Sequence, residues 1–175
     1  MRRTLMWALV ISAGVVGTTG YVGSVLATPS SGFAATTIAV GRFGDIDIAN
    51  HVLREFGDST PRKDLWLALQ KTKGPSDLYV QSNVWAVGGS TGWHTHPGHS
   101  LIIVTAGAVT AYEGDDQSCT PTVYTAGMGF VDPGGTHTHL LRNEGFVEAR
   151  TVAVQLVPAA ATRRIDADGP AGCPF

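Results

Sequence analysis

From residue 78 to residue 157 the sequence is a succession of short apolar runs separated by glycine-containing turns, and nothing in the chain limits its fold more. The runs fall at 78–87, 100–105, 109–113, 122–124, 128–131, 139–142 and 146–157, with no helical segment between them. A polar loop, Asp115-Asp116-Gln117-Ser118, and a tight turn, Asn143-Glu144-Gly145, punctuate the series. Strands at this spacing predict an antiparallel sandwich or barrel, an all-β fold.

The flanks read differently. Residues 28–40 are small and mixed, and read as a linker; residues 41–57 suggest a strand followed by a short helical turn. Thr60-Pro61 is a helix-start signal, yet Leu65, Leu67 and Leu69 alternate at the strand period, which favours a strand over 64–70. The resulting division is a targeting segment at 1–27, linker and N-terminal strands at 28–77, a barrel at 78–157 and a C-terminal tail at 158–175.

Five of the six histidines lie in two short segments, Trp93-His94-Thr95-His96-Pro97-Gly98-His99 and Asp132-Pro133-Gly134-Gly135-Thr136-His137-Thr138-His139. His94 and His96, at i and i+2 of an extended segment, point the same way and present two nitrogen donors side by side. A third donor in the second, distant segment, which holds His137 and His139, completes the set an open transition-metal site needs. His99 and His137 stand beside these positions as a fourth ligand, a general base or plain loop histidines.

These residues resemble the two motifs of the cupin superfamily. Gly88, His94-Thr95-His96 and Gly107 match the first motif, with Ser100 where the family's glutamate stands. Gly127, Pro133-Gly134-Gly135, His139 and Asn143 match the second, with one extra residue between Gly135 and His139. The resemblance implies an antiparallel cupin barrel (double-stranded β-helix, jelly roll) with a divalent transition metal, manganese, zinc, nickel or iron, held by His94, His96 and His139. Asn143 would be a structural amide near the site, and Ser100, Trp85, Trp93 and Tyr112 are pocket candidates. Three neutral imidazoles without the glutamate would leave the ion's charge uncompensated and the ion a stronger Lewis acid.

Arg2 and Arg3 followed by an uncharged stretch from Leu5 to Ala27 read as a signal peptide or an N-terminal membrane anchor. Either places the domain outside the cytoplasm, secreted or in the cell envelope. The net charge of −2, from 12 basic and 14 acidic residues, becomes −4 without Arg2 and Arg3, and no basic cluster offers a nucleic-acid footprint. In an oxidising compartment Cys119 and Cys173 favour a disulfide over two free thiols. Two functions fit: a metalloenzyme with oxygenase, isomerase or lyase chemistry on a small organic molecule, or a non-catalytic binder of a metal or small ligand. Neither the substrate nor the oligomeric state, for which a dimer is one option, is legible.

Overall fold

The computed structural model describes residues 29–56, 62–173 and 175. Among these there are twelve strands and no helix: β1 Ser31–Phe43, β2 Asp47–Phe56, β3 Arg62–Lys71, β4 Ser76–Ser90, β5 His94–Thr95, β6 Ser100–Ala106, β7 Ala108–Glu113, β8 Thr122–Thr125, β9 Gly129–Asp132, β10 His139–Arg142, β11 Ala149–Pro158 and β12 Ile165–Asp166. Ten of them form one antiparallel sheet that curls into a nearly closed barrel along the path β12-β5-β10-β4-β11-β6-β9, with β1 added to β4 and β7 joining β10 to β8. The all-β class and the antiparallel barrel read from the sequence are the fold observed. The targeting segment and the Thr60-Pro61 signal lie outside the described residues.

Alternation explains how the barrel closes over an interior. In β6, Ser100, Ile102 and Val104 are buried while Leu101, Ile103 and Thr105 face out. Strands β4 and β11 do the same with polar residues: Gln81, Asn83, Thr151 and Gln155 all point inward and are buried. Asn83 donates to Thr151 Oγ1 at 3.2 Å across the two strands. A sealed core of this size would carry apolar residues at such positions. The apolar packing is instead divided. One cluster holds Trp85, Val109, Ala111, Leu141 and Ala149, and a second holds Trp93, Tyr112, Leu140 and Cys173.

Two readings of the flanks are corrected. Residues 31–43, within the segment read largely as linker, are a 13-residue strand paired to β4 from Phe33↔Trp85 to Phe43↔Ser76. No helical turn follows it among the described residues; β2 and β3 form a separate two-stranded ribbon with Val52 opposite Trp66. Arg42 at the end of β1 donates twice to Asp77, at 2.8 and 2.9 Å, and Ala160 N donates to the same carboxylate at 3.0 Å. The Arg42 guanidinium, with that backbone N–H, holds the Asp77 carboxyl down at about 2.

The tail is likewise built in. Strand β12 pairs with β5, placing Asp166 opposite His94, and Ala167 N donates to Trp93 O at 3.1 Å. Gly169 lies so close on Trp93 that a Cβ there would fall 2.3 Å from the indole nitrogen. The Phe175 ring packs tilted against Tyr112, centroids 4.7 Å apart, with Arg142 at 4.3 Å over its ring. Cys173 is bonded to Cys119, their Cα atoms 5.3 Å apart, as expected of an oxidised pair.

Candidate metal centre

His94 and His139 face each other directly across the β5–β10 pair, and His96 follows two residues along the same extended segment. The loops that carry them are pressed together. Gly135 N donates to His96 O at 2.7 Å and Thr95 Oγ1 donates to Gly135 O at 2.9 Å. Gly134 sits at φ +66° with its Cα so near Gly98 that a Cβ would lie 2.3 Å from the Gly98 carbonyl oxygen. Glycine is required there on both counts, because the conformation is left-handed and the neighbour is rigid backbone.

The three rings lie close together. Their centroids are 4.8 Å (His94–His96), 4.4 Å (His94–His139) and 5.6 Å (His96–His139) apart. One ring nitrogen from each falls within 4.8 Å of the others. Nitrogens ~2.1 Å from a shared ion are ~3.4 Å apart in tetrahedral geometry, so modest ring rotations bring the set to bonding distance. Two rings are already oriented for this. His94 Nδ1 is 2.8 Å from Gly92 O, and His96 Nδ1 contacts Arg163 O. With Nδ1–H donating to those carbonyls, each Nε2 lone pair is left for a ligand. His139 Nδ1 is buried with no hydrogen-bond partner. The donor set fits a borderline divalent ion.

Asp132, which the sequence reading passed over, is the fourth member of the cluster. It is 3% exposed and pairs across β6–β9 with Ser100. Its Oδ2 lies 3.6 Å from His96 Nε2 and accepts from Ser100 Oγ at 3.4 Å; its Oδ1 lies 3.5 Å from His139 Nδ1 and 3.7 Å from His137 Nδ1. The expectation that no carboxylate offsets the ion is therefore corrected: Asp132 brings one beside the histidines from β9, opposite Ser100. A glutamate at position 100 would meet that carboxylate, so the serine is accounted for.

The other candidates separate. Ser100 and Trp85 line the cavity holding the three histidines. Tyr112 does not; it belongs to the second apolar cluster and donates to Glu144 Oε1 at 2.9 Å. His99 lines a different depression, with Pro97, Gly98 and Leu156. His137 sits on the outer side of Asp132, its Nε2 2.7 Å from Glu113 Oε2; together with Asp132 and His139 it makes a second grouping of ligand atoms within 4.8 Å. Asn143 is fully buried and donates to the carbonyls of Trp85, Ala86 and Val147, fixing the end of β4.

Burial keeps these imidazoles uncharged. It pushes His94 down to about 2, helped by the charges of His139 and Arg164. It lowers His96 against the opposing carbonyl of Arg163 and carboxylate of Asp132, and holds His139 at about 4 against Asp132. An unfolded histidine takes up a proton below about pH 6.5. The unfolded chain therefore binds more protons than the folded one there, and stability falls as pH drops. For the metal-free protein we expect a loss of about 1 kcal/mol from each of His94 and His139 between pH 6.5 and 5.5. Urea unfolding at pH 6.5 and 5.5 measures it. Equal stability at the two values would mean that these rings are not held neutral.

Residues 84–155, which carry all three histidines, match the family described as Cupin domain, so this part of the chain is a cupin domain. Solved structures similar to it include an oxalate oxidase, 24% identical with a TM-score of 0.40 over 47% of this chain and 46% of that one. Another is a cupin superfamily protein from Desulfitobacterium hafniense, 15% identical with a TM-score of 0.40 over 46% of this chain and 67% of that one. A cupin domain from Bordetella pertussis is 17% identical, with a TM-score of 0.39 over 65% of this chain and 93% of its own length. The chain thus spans about half the length of the oxalate oxidase it matches. A search of curated proteins finds no match.

Proposed function

We propose that this protein is an exported metalloenzyme of the cupin type, in which His94, His96 and His139 hold a divalent transition ion and a small organic molecule reacts beside it. The observation that carries the reading is the trio of converging imidazoles, two with their outer nitrogens tied to backbone carbonyls. They open on a cavity of about 110 Å³, room for a small molecule only. A bound ion would supply Lewis-acid activation of a water or a substrate oxygen. The chain's part is positional. Trp85, Ile102 and Leu141 give the cavity apolar lining, Asn83, Thr151 and Gln155 give it polar lining, and Asp132 places a carboxylate 3.4–3.6 Å from Ser100, His139 and His96. The difficulty of keeping iron(II) reduced outside the cytoplasm favours manganese, zinc or nickel. Export is supported by the Cys119–Cys173 disulfide.

Elemental analysis of the protein purified without chelators from its native compartment tests the assignment. One equivalent of manganese, zinc or nickel per chain is expected. A metal-free protein that also takes up none of these ions on titration would sink the reading.

A further inference from the structure

The wall of the cavity contributed by the C-terminal segment is basic and incompletely satisfied. Arg163 and Arg164 both line the cavity with the three histidines, and both lie beyond the residues matched by the family. Both terminal nitrogens of Arg163 have partners. Its guanidinium stands 4.3 Å over the Tyr79 ring and, with the Gln81 amide turned to accept, donates to its oxygen at 2.8 and 3.2 Å. Arg164 differs. Its Nε donates to Asp166 Oδ1 at 2.7 Å, but Nη2 is buried without a hydrogen-bond partner, although 31% of the side chain as a whole is exposed.

Two further polar atoms of the same cavity are buried and unpartnered: the indole donor Trp85 Nε1 and the acceptor Gln155 Oε1. A buried donor or acceptor left unpaired is costly, and a guanidinium nitrogen most of all, so each marks a place where a ligand atom belongs. The charges decide the sign of that ligand. Asp132 and Asp166 balance the two guanidinium groups, so a divalent ion leaves the loaded site doubly positive.

We propose that the cavity takes a small carboxylate, its acid group held by Arg164 and a neutral hydrogen-bonding group, such as a hydroxyl, meeting Trp85 and Gln155. The assignment rests on the cavity being the ligand site of a metal-binding cupin. It deepens that reading by assigning the substrate class to a segment outside the matched domain. A planar carboxylate suits a guanidinium fork, whereas an amide of the same shape has one acceptor oxygen and no charge.

The test is calorimetric titration of the full chain, loaded with Mn²⁺, with two- to four-carbon carboxylic and hydroxycarboxylic acids, each against its own amide. At least one acid should bind tenfold or more tighter than its amide, with hydroxy acids ahead of unsubstituted ones. Arg164→Gln should reduce the acid–amide ratio to about one while leaving Mn²⁺ stoichiometry unchanged. No acid preference across the panel, or a preference that survives Arg164→Gln, overturns the proposal. If Arg164→Gln does not fold, Asp166→Asn decides: removing the competing carboxylate should tighten acid binding several-fold, and unchanged or weaker binding counts against Arg164. Failure of the wild type to load Mn²⁺ would instead count against the metal assignment. The same acid–amide comparison on the metal-free chain would then still judge Arg164.

Discussion

Replacing His96 with alanine is expected to abolish stoichiometric metal and leave the barrel folded. His96 is half-buried at the cavity wall rather than inside either apolar cluster, so truncation removes a ligand without opening a core void. Loss of a residue that merely orients a ligand typically costs 10–100-fold in metal affinity, and loss of a ligand itself should cost more than ~100-fold. Asp132→Asn supplies the contrast. It keeps the side chain's shape and removes the charge beside His96 and His139, so a loss of roughly 10–100-fold is expected. Competition titration with a chromophoric chelator measures both, and circular dichroism confirms the fold. Should His96→Ala hold one equivalent of metal with wild-type affinity, the three-histidine assignment fails. The grouping of Asp132, His137 and His139 would then be the site to examine.

The elements that position this site were unevenly legible. Every apolar run between residues 78 and 157 lies within three residues of a strand end or inside a strand, because glycine turns and period-two alternation are local signals. His94 and His96 stood out for the same reason, their parity on one extended segment, and His139 through its place in the second motif. Strand β1 was not. Its sequence, Ser-Gly-Phe-Ala-Ala-Thr-Thr-Ile-Ala-Val-Gly-Arg-Phe, has small residues and no clean alternation. It is a strand because β4 offers it a long edge to pair with, a tertiary cause that overrides weak propensity. Asp132 was missed because an acid before proline reads as turn chemistry. Its role appears only once β6 and β9 are in register and Ser100 faces it. The tail had neither period nor motif; the carbonyl that Arg163 offers His96 comes from backbone placement that no residue type announces.

That placement gives the disulfide a role in the site as well as in stability, and its removal is expected to have a large effect. Cys119 and Cys173 are 54 residues apart in sequence. In the chain-entropy picture a closure of that length is worth about 4 kcal/mol. Without it, the tail is held by Gly169 on Trp93, Phe175 on Tyr112, the short β12–β5 pairing and the Asp77–Ala160 hydrogen bond. The tail carries the Arg163 carbonyl that fixes His96 and the strand that lies against His94. Releasing it therefore loosens two of the three imidazoles. The double variant Cys119→Ser, Cys173→Ser should lose roughly 4 kcal/mol of unfolding free energy. At temperatures where it remains folded it should also bind metal roughly tenfold more weakly, because those rings must be reordered on binding. Denaturant unfolding and metal titration of the double variant beside wild type measure the two effects. A destabilised variant with unchanged metal affinity would confine the disulfide to stability, and one that unfolds with the wild type would show that the tail holds its place on packing alone.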